Sequence, residues 1–158
     1  MNSFLLIIVF LHLCWISLSL SAETVCIGSE REILVKLKHH LKDPSNRLSS
    51  WNATINSNCC QWAGVVCHTI TSHVAELHLT TLRPLYDDSL GYPLDKYVYD
   101  NAFREYNRRA FSGEINPCLV DLKHLNYLDL SGNLFYDVPI PSFIATMTSL
   151  THLNLSHA

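Results

Sequence analysis

Three short stretches of this chain carry the same spacing of apolar residues. Residues 125–130 read LNYLDL, residues 150–155 read LTHLNL, and residues 74–79 read VAELHL. The first two match nearly verbatim and are separated by one period of about 25 residues. Because a unit of this size cannot bury its apolar face alone, such repeats stack on one another. The chain must therefore build a stack of similar units.

A period of about 25 residues is that of the leucine-rich repeat, whose units have about 20 to 29 residues. Side chains alternate along a strand, so Leu128 and Leu130 point inward while Tyr127 and Asp129 point outward. Asn133 follows the strand, where its amide can satisfy backbone groups along a stack of turns. The predicted fold class is α/β, a right-handed solenoid with short parallel strands on its concave face.

Residues 1–22 carry no charged side chain and contain the apolar run Phe4–Leu20. Small residues end this run at Ser19, Ser21 and Ala22, which predicts that residues 1–22 are a secretory signal peptide. The alternative is a membrane anchor, since the run is just long enough, at roughly 17 residues, to span a bilayer. No later stretch is as long and apolar, so the mature chain is expected to be secreted and to contain no membrane segment.

A helix is predicted from Ser29, which forms a capping box with Glu32. Its apolar residues fall on one face and are expected to cover another element; they are Ile33, Leu34, Leu37 and Leu41. Asp43-Pro44 ends the helix, because proline disfavours a helical residue before it. This helix is therefore expected to act as a lid within an N-terminal cap of residues 23–68.

An oxidising compartment determines how the cysteines are interpreted. The mature chain keeps five: Cys26, Cys59, Cys60, Cys67 and Cys118. The most economical pairing is Cys26 with Cys59 and Cys60 with Cys67, although sequence alone leaves connectivity open. A zinc site at Cys59, Cys60, Cys67 and His68 is the alternative, and neither compartment nor spacing favours it.

The first two strands lie about two periods apart, so roughly one period of extra chain interrupts the first repeat. The insert falls near residues 82–110, holds five of the seven tyrosines, and lacks repeat spacing. It is either a loop that contacts a partner through tyrosine and arginine, or a tolerated mobile loop. We expect the second, with the repeat framework resuming at Phe111.

The arrangement resembles the N-terminal cap and first repeats of the plant-type extracellular leucine-rich-repeat family. This family includes receptor-like proteins, receptor-like kinases and polygalacturonase-inhibitor proteins. Residues 111–156 are most similar to receptor-like proteins of the ethylene-inducing-xylanase receptor type. The matching cap residues are Cys26, Glu30, Arg31, Leu34, Leu37, Lys38, Leu48, Trp51, Cys59, Cys60, Trp62, Gly64, Val65 and Cys67.

Family members continue through many repeats, whereas residues 73–158 hold about two and a half. We therefore expect a truncated or partial protein, located at the plasma membrane if it is a fragment of a full-length receptor-like protein. The resemblance implies an extracellular recognition module in cell-surface perception or defence signalling. The implied partners are a protein, peptide or glycan ligand and a co-receptor. A soluble secreted inhibitor of a pathogen hydrolase is the alternative function.

Outward strand positions supply the candidate ligand-binding residues, namely His78, Tyr127, Asp129 and His152. The alternative is that they are ordinary solvated strand residues. No nucleophile elbow, phosphate loop or metal-ligand motif occurs, so no catalytic residue, metal or cofactor is predicted. A net charge of −3 without a run of Lys or Arg does not favour nucleic acid as a partner.

Two glycosylation sequons begin at Asn52 and Asn154. Asn52 lies in a polar, turn-rich stretch, so we expect it on the surface and glycosylated in a secreted chain. A glycan at Asn154 would cover part of the concave face.

Enzymatic deglycosylation of material secreted by plant cells should lower its mass, because the surface sequon at Asn52 is accessible to the glycosylation machinery. Mass spectrometry of the peptide containing Asn52 measures this change. An unmodified Asn52 would count against its surface placement.

Overall fold

The computed structural model describes residues 25–84, 96–135 and 139–158, and the expected signal peptide of residues 1–22 lies outside them. Within these residues the chain forms two α-helices and six short strands. Their bounds are α1 Gly28–His40, β1 Leu41–Lys42, β2 Val65–Cys67, β3 Val74–His78, α2 Lys96–Arg109, β4 Ser112–Gly113, β5 Tyr127–Asp129 and β6 His152–Asn154. Short 3-10 helices span Cys59–Gln61, Pro117–Asp121 and Ser142–Thr146.

A four-stranded sheet in the order β2-β3-β5-β6 organises the molecule. Strand β2 is antiparallel to β3, while β3, β5 and β6 are parallel. Leu77 aligns with Leu128, and Leu128 aligns with Leu153. This register is the one that the leucine period predicts, and it confirms the leucine-rich-repeat fold.

The inward leucines become more exposed along the stack. Leu77 is 0% exposed and Leu128 is 1% exposed, whereas Leu153 is 44% exposed. The first two leucines have neighbours on both sides, but Leu153 sits on the outermost strand of the sheet. Burial therefore depends on position in the stack, as expected for a solenoid.

Helix α1 covers one end of the stack, as its apolar stripe predicts. Leu34 and Leu37 are fully buried in the common core. The capping-box prediction is wrong, since α1 begins at Gly28 with Ile27 at the cap position and no side chain bonded there. The chain entering α1 is held instead by Cys26, whose sulfur is bonded to Cys59 and whose amide donates to Asn58 Oδ1 at 2.9 Å.

The cap is held together by two disulfides and a pair of indoles. Cys26 is bonded to Cys59 and Cys60 to Cys67, the pairs that the most economical closure of the cap favours. The buried rings of Trp51 and Trp62 stack with their centroids 5.9 Å apart. Each indole N–H donates a hydrogen bond to a backbone carbonyl oxygen. Both tryptophans are therefore buried with their single polar group hydrogen-bonded.

Glu30 joins the cap to the first repeat. Its carboxylate is buried and accepts hydrogen bonds from the amide of Val74 and from Nδ1 of His73, each at 2.8 Å. Val74 is the first residue of β3. A residue of the lid helix therefore satisfies the backbone at the start of the repeat sheet.

The repeat framework resumes after the insert through a small second sheet, in which β4 pairs antiparallel with β1. Gly113 of β4 has φ 97°, and a Cβ there would lie 2.5 Å from the carbonyl oxygen of His40. Only glycine can bring the two backbones this close without strain. The Phe111-Ser112-Gly113 motif therefore ties the first repeat to the end of α1.

The insert is not simply a loop, because its second half forms α2. Tyr99, Phe103 and Tyr106 recur at helical spacing, and their rings pack in sequence with centroids 6.0 and 5.7 Å apart. Tyr106 is 3% exposed and anchors the helix on the repeat framework. The interspersed charged residues hid this stripe in the sequence. Residues 85–95 of the insert lie outside the described residues.

Asn133 is fully buried and occupies the centre of the hydrogen-bond network behind the strands. Its Nδ2 donates to the carbonyl oxygens of Leu79 and Leu130, each at 2.7 Å. Its Oδ1 accepts from the amide of Phe111 at 3.0 Å and from the hydroxyl of Thr81 at 2.8 Å. One side chain thus satisfies two successive strand ends and the point where the insert rejoins the framework, as its place after the strand predicts.

Replacing Asn133 with alanine is expected to lower the free energy of unfolding by about 3 kcal/mol, because the buried groups that it satisfies lose their partner. Urea titration followed by tryptophan fluorescence measures this change. The matched control is Asn126→Ala, since Asn126 is exposed and is hydrogen-bonded through its backbone. It should cost less than about 0.5 kcal/mol. Equal effects of the two substitutions would contradict the central place of Asn133.

Candidate ligand-binding surface

The outward side chains of the three parallel strands form two rows across the concave face. Glu76, Tyr127 and His152 align in one row, and His78, Asp129 and Asn154 align in the next. All four ligand-binding candidates from the sequence therefore lie on one surface, together with Glu76 and Asn154. We call these six residues the concave ladder.

Three rings of the concave ladder stack across the sheet. The rings of His78 and Tyr127 have centroids 4.6 Å apart and planes inclined by 25°. The rings of Tyr127 and His152 have centroids 5.7 Å apart and planes inclined by 30°. Each ring comes from a different strand, so the parallel register itself assembles the stack. The stack presents a continuous aromatic strip at the surface.

A carboxylate lies at one end of this strip. Glu76 Oε2 lies 2.7 Å from Nε2 of His78, and both side chains are more than one third exposed. The pair is thus open to solvent and contributes little to stability. The second oxygen of Glu76 is not used in this pair and can accept a hydrogen bond.

Asp129 is the most buried member of the concave ladder, at 8% exposure. Its carboxylate accepts hydrogen bonds from the Ser131 amide at 2.9 Å and from Asn154 Nδ2 at 3.3 Å. Burial alone would raise the pKa of Asp129, but bonds from Ser131 and Asn154 and the nearby His78 outweigh it, so the pKa is lowered. Asp129 therefore stabilises the concave ladder through these hydrogen bonds, whereas Tyr127 and His152 are the candidates more accessible to a ligand.

Both sequons are held in the same local conformation. Asn52 Oδ1 accepts from the amide and hydroxyl of Thr54 at 3.0 and 2.6 Å. Asn154 Oδ1 accepts from the amide and hydroxyl of Ser156 at 3.1 and 2.8 Å. The nitrogen of Asn154 already bonds Asp129. A glycan on that nitrogen would therefore project from the concave ladder itself.

The described residues contain neither a metal cluster nor a membrane-spanning helix. In residues 25–84, 96–135 and 139–158, no three His, Cys, Asp or Glu side chains are grouped so that they could hold a metal ion. Over the same part of the chain, no helix has the length and apolar character needed to cross a membrane.

The stability that the Asp129 carboxylate contributes should depend on pH. A lowered folded-state pKa means that this contribution is present above the unfolded value of about 4 and is lost as pH falls through the folded value. The difference in free energy of unfolding between the native chain and the Asp129→Asn variant should therefore be constant near neutrality and shrink below about pH 4. Urea titrations across this range measure it. A difference that stays constant to pH 3 would contradict the assignment; Asp121→Asn, on an exposed turn, is the control.

The first part of the chain matches a known family, and most of its length aligns with known relatives. The family described as leucine rich repeat N-terminal domain matches residues 27–68. Receptor-like proteins EIX2 and EIX1 of Solanum lycopersicum are 34% and 32% identical over 134 and 135 residues, which is 85% of this chain in each case. These alignments cover 11% and 12% of the two relatives, so the chain spans about a tenth of their length.

Two solved structures share the fold. The BIR2 ectodomain from Arabidopsis thaliana has a TM-score of 0.55 and 26% identity, over 80% of this chain and 54% of that one. The ectodomain of the Arabidopsis receptor kinase HAESA, in complex with an IDA peptide hormone ligand, has a TM-score of 0.52 and 26% identity, over 83% of this chain and 17% of that one. Taken with the disulfide-bonded cap and the parallel strands, these likenesses show that the chain is similar to plant receptor-like proteins and shares the leucine-rich-repeat fold of plant receptor ectodomains.

Proposed function

We propose that the chain is part of an extracellular recognition module of a receptor-like protein, in cell-surface perception or defence signalling, and that it binds its ligand on the concave ladder. The observation that carries this proposal is the stack of His78, Tyr127 and His152, whose rings come from three successive strands. Aromatic rings that are partly buried supply large contact area at little cost in conformational entropy, which suits an interface.

The chemistry of the concave ladder favours a peptide segment as ligand. The ring strip can pack against apolar side chains, and the second oxygen of Glu76 beside it can accept a hydrogen bond from a backbone amide. The HAESA structure, which shares this fold, contains a peptide hormone. In its broader form, the proposal is that a protein, peptide or glycan ligand binds this surface. A co-receptor is a further proposed partner.

The domain organisation that accompanies this proposal has three parts. Residues 1–22 are a signal peptide, residues 23–68 the N-terminal cap, and residues 73–158 about two and a half repeats interrupted near residues 82–110. The location is extracellular, at the plasma membrane where the chain is part of a longer receptor-like protein. The match of residues 27–68 to an N-terminal repeat domain supports the second part.

Two other functions have less support. A soluble inhibitor of a pathogen hydrolase is not favoured, because the relatives described above are receptor-like proteins. Catalysis is not proposed either, since the concave ladder combines stacked rings and a hydrogen-bonded carboxylate without a nucleophile held by a base. Asp129, the most buried acid there, has a lowered pKa, which does not suit a general acid.

Selection of a phage-displayed peptide library on the full secreted chain tests the concave site. Peptides that bind the native chain should lose about tenfold or more in affinity for Tyr127→Ala, since removal of a central aromatic anchor costs roughly 1.5 to 3 kcal/mol. The matched control is His39→Ala, because His39 is exposed on the cap helix and lies far from β5 in sequence. Its effect should be under twofold, as measured by biolayer interferometry.

Two outcomes would contradict this proposal. One is that the selected peptides bind Tyr127→Ala and the native chain equally well. The other is that His39→Ala abolishes binding, which would move the site to the cap. Circular dichroism of each variant separates loss of binding from loss of fold.

A further inference from the structure

The arginines of this chain are unevenly distributed. The sequence contains six arginines, and five of them occur at positions 47, 83, 104, 108 and 109. The net charge of the whole chain is −3. A cluster of guanidinium groups in a weakly acidic chain marks a local excess of positive charge that overall composition conceals.

Three of these arginines line one pocket between α2 and the first repeat. The pocket has a volume of about 530 Å³, and Arg47, Arg83 and Arg109 contribute to its wall. A second pocket of about 720 Å³ adjoins it along residues 80–84 and continues to Ser131 and Ser156 beside the concave ladder. We call the first pocket the arginine pocket. It exists because the insert forms a helix at this position.

Arg47 forms the rigid floor of the arginine pocket. Its Nη1 donates to the hydroxyl of Thr81 at 2.6 Å and to the carbonyl of Arg109 at 3.1 Å, and its Nη2 donates to the carbonyl of Thr80 at 2.6 Å. Its guanidinium also lies 4.3 Å from the centroid of the Phe111 ring. These bonds use three of its five N–H groups and hold the remainder in a fixed direction. The fork is therefore preorganised for an acceptor.

The positive charge in the arginine pocket is not balanced by acids among the residues that the structure describes. None of the ion pairs in residues 25–84, 96–135 and 139–158 involves Arg47, Arg83 or Arg109. Glu105 lines the pocket but pairs with Arg108. One other acid lies nearby in the described part of the chain, namely Asp43. Its carboxylate accepts hydrogen bonds from the backbone amides of residues 47 and 48.

The arrangement places like charges close together. Burial, followed by the charge of Arg109, lowers the pKa of the Arg47 guanidinium, while Asp43 acts in the opposite direction. Nη1 of Arg83 donates a hydrogen bond to Nδ1 of His157 at 3.3 Å, an acceptor that is not an acid. An anion in the pocket would relieve this repulsion.

We propose that the arginine pocket binds a carboxylate-bearing side chain of an acidic peptide segment. Guanidinium groups match carboxylates through two parallel N–H···O bonds, which gives both affinity and orientation. The pocket size suits one or two side chains and falls within the range of ligand sites. The insert, which the repeat architecture does not require, thereby gains a function: α2 supplies one wall of the site.

The choice of a peptide rests in part on the proposed function. The adjoining pocket runs from Arg83 to Ser131 and Ser156, which closely follow the ladder strands β5 and β6. A chain lying on the concave ladder would therefore reach the arginine pocket at its end. Apolar contacts from Leu82 and Pro84 beside the arginines fit a peptide better than an isolated inorganic anion.

Fluorescence anisotropy of labelled hexaglutamate, titrated with the full secreted chain, tests this proposal. Hexaglutamate should bind and hexaglutamine should not. Arg83→Gln and Arg109→Gln should each weaken binding about fivefold or more, because each removes one charge-assisted fork. The matched control is Arg104→Gln, an exposed arginine of α2 that does not line the pocket. Its effect should stay below about twofold, since a screened surface charge contributes little.

Each remaining result has a defined meaning. Arg83→Lys should recover less than half of the lost affinity if the fork matters beyond its charge. Binding that survives in Tyr127→Ala but falls in Arg83→Gln supports the arginine pocket even if the concave proposal fails. Equal losses for the three glutamine variants would show diffuse attraction and overturn the site. Failure of hexaglutamate to bind, including the case in which trigalacturonate binds instead, would overturn the acidic-peptide assignment.

Discussion

The structure depends on the hydrogen bonds of one buried carboxamide, that of Asn133. Four backbone or hydroxyl groups from three separate segments converge on it, and three of them are buried backbone groups that it satisfies directly. Such groups are costly when left unsatisfied, so the amide fixes the distance between the first two repeats and the point at which α2 ends. Gly132 beside it allows the same approach, because a Cβ there would lie 1.9 Å from the Thr81 carbonyl oxygen.

From this fixed spacing the two candidate surfaces follow. On the concave side, the register of β3, β5 and β6 stacks His78, Tyr127 and His152 into one strip. Beside residues 80–84, the same spacing places Arg47 in contact with the end of α2, where it lines the arginine pocket. The cap contributes through Glu30, which holds the start of β3 in place. The two proposed binding surfaces thus consist of residues that the repeats position, together with one helix that the repeat architecture does not require.

How much the sequence could predict depends on the range of the interactions involved. The leucine period predicted the register of β5 and β6, and the apolar stripe of α1 predicted its buried face, because both patterns are local. The start of α1 was mispredicted, since a disulfide and a hydrogen bond to Asn58, both distant in sequence, outweigh the capping box. The insert helix was missed because its aromatic stripe is interrupted by charges. No local pattern could reveal the arginine pocket, whose members come from the cap, the first repeat and the insert.

The parallel strands form one hydrogen-bonded sheet whose spacing depends on Asn133. Amide hydrogen exchange of the full secreted chain, measured for each residue by NMR, tests this dependence most directly. The amides of Leu79, Thr81 and Leu130, which donate to carbonyl oxygens of the next repeat, should exchange slowly in the native chain. In Asn133→Ala these three should lose protection together, while Val65 in the cap retains its protection. Rapid exchange of Leu79 and Leu130 in the native chain, or their unchanged protection in the variant, would contradict the account.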